Sequence, residues 1–263
     1  MHGRLKRSLV FCFSLFTMFL FDPLAVLRKW RAIPYFVRNA LTYRRLNRGP
    51  TFPLEPSKIY FTTYDRFDTA GAARGHYFYQ DIWAAGHLFK SGNDLHVDVG
   101  SRVDGFVAHA MPFCNIIYVD LRPLECSLEH LEFRKGSILE MPFDDNSVKS
   151  LSCLHVIEHI GLGRYGDQVN PDGYCHAARE LTRILAPGGT LLLGTPVGRE
   201  QLYFDAHRIF DPETVREAFS GLDLLEFSLI DDRGAGIIRD AELDTGRQCQ
   251  YGCGLFRFVK PLS

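Results

Sequence analysis

The sequence predicts an α/β protein: a doubly wound, mostly parallel seven-stranded sheet with an antiparallel edge hairpin and an N-terminal helical arm. Three observations carry that expectation. From about residue 75 onwards, short apolar runs of strand length alternate with stretches of helical period. The first such strand closes on HVDVGSRVDGF (96–106), where an acid and a loop holding Gly100 and Gly105 precede renewed apolar periodicity. That order describes a strand, a tight turn and a helix start whose N–H groups face a ligand. Charge, finally, is split along the chain. Residues 1–60 carry eleven Lys and Arg against two Asp and Glu, +9, and the remainder carries 19 against 29, −10.

The overall charge of −1 therefore conceals a basic arm joined to an acidic domain. Such an arm suits an anionic membrane surface. Nucleic acid is not expected as a partner, because an apolar run interrupts the arm and the acidic domain repels phosphates. With 46% hydrophobic and 23% charged residues, long disorder is excluded. Ser8 to Phe21 is uncharged and follows Arg4, Lys6 and Arg7. As a helix it would reach about 21 Å, short of a hydrocarbon core of about 30 Å. No small-x-small cleavage pattern follows Phe21, which argues against a signal peptide. Asp22 and Pro23 read as N-cap and first turn of a second helix, in which Leu24, Leu27, Trp30 and Ile33 alternate with Arg28, Lys29 and Arg31. The expectation is a cytoplasmic protein peripheral to a membrane. Residues 1–48 form the arm, 49–74 a proline-bearing linker, and 75–263 the main domain.

Within that domain the periodicity predicts a helix from Gly75 to Phe89, then strand 95–99, helix 103–111, strands 115–120, 131–137 and 150–155, helix 172–186, strand 189–195 and helix 211–219. Leu222 to Ile230 and Gly254 to Lys260 read as strands without a helical pattern between them, suited to a hairpin at the sheet edge. The seven cysteines (12, 114, 126, 153, 175, 249 and 253) are odd in number and mostly lie in apolar runs, which suggests reduced, buried thiols. No metal is expected: Cys249 and Cys253 flank a turn, but no second pair completes a zinc site.

Strand one ends near Asp98 and strand two at Asp120, an arrangement in which the second acid accepts the hydroxyls of a ribose. The dinucleotide pattern G-x-G-x-x-G is absent. Further on, GSILEMPFDDNSVKSLSCLHVIEH (136–159) and RELTRILAPGGTLLLGTPVG (179–198) resemble class I S-adenosylmethionine-dependent methyltransferases over roughly Lys90 to Lys260. Within that class, HYFYQDIWAA, DVGSRVDGF, LSCLHVIEHIGLGRYGD, NPDG and AHRIFDP are similar to a little-characterised family known as domain of unknown function 268. The resemblance implies a Rossmann-like methyltransferase fold and S-adenosylmethionine as cofactor. It places Asp98, Gly100, Ser101 and Gly105 around the methionine part, Asp120 at the ribose, and Leu121, Ser137 and Ile138 beside the adenine. Leu154 and His155 would close strand four beneath the transferable methyl. Arg102 and Asp104 stand where the class has its second and third glycines, and Ser137 where it has an Asp.

Methyl transfer needs positioning and a base for an O–H or N–H nucleophile. His155, Glu158 and His159 fall at the carboxyl end of strand four and are the catalytic candidates, with either imidazole titrating near neutrality. The same residues spell H-x-x-E-H, a zinc-protease signature that requires a helix, whereas here the run begins in a strand. The loop Gly161 to Gly173 reads as a lid or substrate clamp through Arg164 and Tyr165, with His207 and Arg208 as further substrate contacts. His76, Tyr79 and Gln80 precede strand one, in a region that in this class folds over the cofactor. The function implied is methyl transfer to an oxygen or nitrogen of a membrane-associated or glycan-type acceptor. The alternatives are a regulatory module that keeps the fold, and a nicotinamide enzyme or metal hydrolase.

Overall fold

A computed structural model describes residues 23–60, 71 and 73–262, which fall in two units, Met1–Ala72 and Ala73–Ser263. In the first unit, helix α1 (Pro23–Leu46) opens on a proline, whose missing N–H has no partner to lose there. After its end, the Tyr43 hydroxyl and the Asn47 amide donate to the Phe52 carbonyl at 2.8 and 2.9 Å, which folds the chain back. Trp30, Leu41 and Leu46 are exposed beside the equally exposed Arg38, Arg44 and Arg45. Among the described residues no helix is long and apolar enough to cross a membrane, and Ser8 to Phe21 lies outside them.

The second unit begins with α2 (His76–Ser91), closed by left-handed Gly92, and enters β1 (Leu95–Val99). A wide π-type turn over Val103–Val107 runs into the single turn α3 (Ala108–Ala110). Then come β2 (Asn115–Asp120), β3 (Leu131–Lys135), β4 (Val148–Leu154) and a 3-10 turn at Ile157–His159. Helix α4 (Gly173–Ile184), β5 (Leu185–Val197) and the small hairpin β6 (Gln201–Tyr203) and β7 (His207–Ile209) follow. The chain ends with α5 (Pro212–Ala218), β8 (Asp223–Ile230), α6 (Leu243–Arg247) and β9 (Gly252–Val259).

The sheet order is β3-β2-β1-β4-β5-β9-β8. Its first five strands are parallel, and β9 runs antiparallel to both β5 and β8. Both faces are covered, as a parallel sheet requires. Alternate residues go to opposite sides: Val97, Ile117, Leu151, Leu193 and Phe256 meet α4 and α5, whereas Ile116, Leu154, Leu192 and Leu255 meet Trp83 of α2 and Phe106.

Several elements differ from expectation: the helix expected over 103–111 is a π-type turn followed by one α-helical turn, and the strand expected over 189–195 runs Leu185–Val197. Strand β3 stops at Lys135, and Ser137 instead makes an isolated bridge to Glu140. Helix α4 stops at Ile184, because Leu185 already pairs with Val148 and the next pair joins Ser150 to Thr190. The residues between, Ala186 to Gly189, are the Pro-Gly-Gly turn accommodated as a bulge. The last two strands do pair antiparallel, but β9 inserts between β5 and β8, and α6 lies between them in sequence. Five residues are too few to display a 3.6-residue period. The N-cap of α5 is as expected: Asp211 accepts from the Glu213 N–H at 2.9 Å, with Pro212 in the first turn.

Under α5, the rings of Phe219, Phe258, Phe256 and Phe227 form a continuous run with centroids 4.8 to 5.8 Å apart. Phe258 is wholly buried. Replacing it by Ala is expected to cost about 3–5 kcal/mol, read from urea unfolding of the full chain.

Candidate active site

In an open α/β sheet, ligands collect where neighbouring connections leave in opposite directions. Here that point lies between β1 and β4. Gly100 follows β1 with φ +66°, in the left-handed region, and a Cβ there would stand 3.2 Å from Val156. Glycine is thus required both by the turn and by the close approach of the next crossover.

Beneath this loop Asp98 is wholly buried. It accepts from the Ser101 N–H at 3.1 Å, from the Ser101 hydroxyl at 2.6 Å and from the Ser152 hydroxyl. Ser152 spends its only proton on that carboxylate, so it accepts from His96 Nε2–H at 2.8 Å. His96 Nδ1 then accepts from the Ser150 hydroxyl at 2.7 Å. Burial lowers the His96 pKa to about 3, so the ring is neutral. Burial also raises Asp98, to about 6, against the pull of its serine donors. Asp98 therefore sets the loop from behind and does not line the cleft.

Asp120 ends β2 with its carboxylate turned toward the cleft. Tyr118 donates to it at 3.1 Å, and Arg122 holds it in a fork, Nε to Oδ1 at 3.0 Å and a terminal nitrogen to Oδ2 at 2.7 Å. Burial opposes its ionisation, but Arg122 outweighs burial and keeps Asp120 below the usual carboxylate range. Asp120, Leu121, Gly136 and Ile138 line a cavity of about 80 Å³, a largely apolar shelf with Asp120 and Asp167 among its walls.

A second cavity, about 420 Å³, lies beyond His155. His155 has φ +56°, a left-handed conformation uncommon outside glycine, and its N–H donates to Gly194 O at 2.8 Å. The turn brings its Nδ1 within 2.8 Å of Glu158 Oε1. Thr195 donates to the other Glu158 oxygen at 3.4 Å, and His159 Nε2 lies 3.8 Å from Oε1. One buried carboxylate is thus shared by two imidazoles. For His155, burial opposes the charge, but the Cys253 sulfur and Glu158 outweigh it and hold its pKa well above the ordinary value. Glu158 is held low by His155 against the effect of burial. His159 is lowered, chiefly by burial. Its Nδ1–H donates to the Ala206 carbonyl at 2.6 Å, which leaves the lone pair on Nε2.

The loop after the 3-10 turn closes on itself. Gly161 has φ +80°, its N–H donates to Asp167 at 2.6 Å, its carbonyl accepts from Asn170 at 2.9 Å, and a Cβ would fall 2.0 Å from the Asn170 oxygen. At the tip, Tyr165 lies under the guanidinium groups of Arg122 and Arg164, at 4.8 and 5.1 Å, and edge-on to His159. Arg164 donates to Ala206 O at 2.8 Å, and His207 joins it in lining the larger cavity.

The structure thus gathers His155, Glu158, His159, Gly100, Ser101, Asp120, Leu121, Ile138, Arg164, Tyr165 and His207 around adjoining cavities. It leaves Asp98, Gly105, Ser137 and Arg208 outside their walls. Gly105 packs against Asp81, whose oxygen a Cβ would meet at 2.4 Å. Arg208 corrects the reading of a substrate clamp: it donates to the carbonyls of Ile160 at 2.7 Å and Pro171 at 3.1 Å, bracing the loop. Arg102 and Asp104 bind each other at 2.8 Å on the surface, Arg102 lying over Tyr77, so neither side chain fills the loop. Sequence reasoning missed Arg122, Asp81, His96 and Tyr251; only Ser150 and Ser152, polar at alternate positions of an apolar strand, marked the buried network.

The sequence family described as "Caenorhabditis protein of unknown function, DUF268" matches residues 127–246. A stretch of 81 residues is 31% identical to demethylmenaquinone methyltransferase of Bacillus cytotoxicus, spanning 29% of this chain and 30% of that protein's length. The (4+2)-cyclase SpnF has a similar structure, with a TM-score of 0.54 at 15% identity over 70% of this chain and 81% of that one. The 1,6-didemethyltoxoflavin-N1-methyltransferase of Burkholderia thailandensis, solved with 1,6-didemethyltoxoflavin and S-adenosylhomocysteine, gives 0.52 at 12% identity over 70% and 79%. The fold is therefore methyltransferase-like, and the name of SpnF shows that such a fold also serves other chemistry.

Because Asp98 binds its proton more tightly folded than unfolded, it stabilises below pH 3.8, and that contribution is lost as pH rises to about 6. The full loss corresponds to roughly 3 kcal/mol. Asp98→Asn is expected to flatten the fall in unfolding free energy between pH 4 and 6, measured in urea at three pH values across that window.

Proposed function

We propose that this protein transfers a methyl group from S-adenosylmethionine to an oxygen or nitrogen of an acceptor bound in the larger cavity. One observation carries the reading: the two cavities share Gly100, Arg122, His155, His159 and Tyr165 as walls, so an acid-edged apolar shelf opens directly onto an imidazole-lined chamber. The lining of the shelf suits an adenosyl group. Asp120 would accept ribose hydroxyls, Leu121 and Ile138 would flank the adenine, and the loop at Gly100 leaves room that a Cβ would narrow. Bound there, the cofactor supplies an electrophilic methyl on a sulfonium.

The chain's own part is to orient the acceptor and take its proton. His159 is the base, since its lowered pKa leaves it neutral near pH 7 and its Nδ1–H is committed to Ala206. His155, paired as an imidazolium with Glu158, positions that carboxylate instead. Arg164 and His207 face the acceptor's approach, and Tyr165 covers it. The basic, partly apolar arm supports a membrane-associated or glycan-type acceptor and a peripheral attachment.

A second reading draws on Arg122. Its fork on Asp120 occupies the acid that a ribose would need, which suits a regulatory module with a gated ligand. Calorimetry with S-adenosylhomocysteine separates these readings. Wild type is expected to bind one molecule per chain, Asp120→Ala at least tenfold more weakly, and Arg122→Ala as tightly or more tightly; no heat at millimolar ligand sinks the cofactor assignment. With tritiated S-adenosylmethionine and either detergent-solubilised membrane lipids or soluble glycans, His159→Gln is expected to slow labelling by about 10²–10⁴-fold while leaving cofactor affinity nearly unchanged. The wild-type rate should fall as pH drops through the lowered pKa of His159. Cofactor binding without labelling of either fraction favours the regulatory module.

A further inference from the structure

We propose that His76, His155 and Cys253 form a site for a borderline-soft divalent cation, zinc above all, at the wall of the larger cavity. The three come from separate parts of the fold: the first residue of α2, the turn after β4, and the second residue of β9. One donor atom from each lies within 4.8 Å of the other two. Cys253 is wholly buried and His155 nearly so.

The state of His155 points to a ligand. Its Nδ1 is committed to Glu158 at 2.8 Å, and its Nε2, fully buried, has no hydrogen-bond partner. A buried polar atom left unpaired is costly. Nε2 is therefore the nitrogen His155 has to offer, zinc displacing the proton it carries in the metal-free ring, and the Glu158 carboxylate behind it is the outer-shell partner that metal-bound histidines characteristically have. Thr195 steadies that carboxylate in turn. Imidazole nitrogens with a thiolate suit zinc and disfavour magnesium or calcium, which take oxygen ligands. The thiolate and Glu158 would together balance the two positive charges.

Donors at zinc–ligand distances of about 2.0–2.3 Å stand roughly 3.3–3.8 Å apart in a tetrahedron, so the three must draw together by about an ångström. His76 is the one placed to move, at the start of its helix and only partly buried, its ring stacked on His155 at 5.5 Å and on Tyr251 at 4.9 Å. Because His155 lines the cavity, the fourth position falls to water or to a group bound there. The inference rests on the donor set and does not depend on methyl transfer.

The test uses the full chain, stripped of metal by a chelator, without S-adenosylmethionine. Titration with Zn(II) against a chromophoric chelator is expected to give one ion per chain. Co(II) should produce a thiolate charge-transfer band together with visible bands of tetrahedral intensity. His76→Ala should weaken Zn(II) at least tenfold, Glu158→Gln by about 10–100-fold, and Cys253→Ser should remove the charge-transfer band. Cys126→Ser, at an exposed cysteine elsewhere, should change neither. If Cys253→Ser fails to fold, the wild-type cobalt spectrum and His76→Ala decide the matter. Absence of stoichiometric zinc, a cobalt spectrum without the thiolate band, or unchanged affinity in His76→Ala overturns the proposal.

Discussion

A carboxylate sealed at the end of β1 governs the geometry of everything above it. Asp98 sits where the sheet opens, and its three donors tie the loop at Ser101 to strand β4 at Ser152. The His96 ring, neutral between two serines, completes the network under the sheet's central strands. Buried polar groups of this kind cost free energy unless every member is satisfied, and here every member is. The consequence is directional. A loop fixed from below presents its main chain upward, at the same height as Asp120 on one side and Val156 on the other.

The opposite wall is built on a second buried carboxylate. Glu158 holds one imidazole on a left-handed turn and lies within reach of another, so the two histidines differ in charge although they stand four residues apart. His155 is pushed toward the imidazolium, whereas His159, nearer the cavity mouth and bonded to a backbone carbonyl, is pushed toward the neutral ring. Environment, rather than residue type, assigns their roles. The cover over both is cationic and aromatic: Tyr165 packs between Arg122 and Arg164, and Arg122 in turn reaches Asp120. Tyr165 is thus one of five residues, with Gly100, Arg122, His155 and His159, that line both cavities.

Much of this was legible in the chain. The short apolar runs of the strands between Leu95 and Leu193 and the Asp211-Pro212 helix start depend on local pattern, and local pattern placed them. Asp120, His155, Glu158 and His159 were singled out because strand ends gather ligands in this architecture, and the fold brings all four to the two cavities. What escaped was set by contacts distant in sequence. Nothing local distinguishes Arg208, which braces carbonyls of residues 160 and 171, from an arginine that grips a substrate. Asp81 and Cys253 look like ordinary positions on a helix and a strand until the fold carries them against Gly105 and His155. The insertion of β9 between β5 and β8 is likewise a topological choice that antiparallel pairing alone leaves open.

The ring formed by residues 161–170 has a bearing on how such a protein can diversify. Its two ends are stitched together by the Asn170 amide and the Gly161 carbonyl, and the glycine is locked against the Asn170 oxygen. Extra residues spliced into the crest near Gly163 to Gly166 would leave that seam intact. Doubling the length of a closed loop adds only about 0.6 kcal/mol of closure entropy. The crest can thus grow, shrink or change composition while the start of α4 stays in register, so the rim of the cavity can drift without renegotiating the framework.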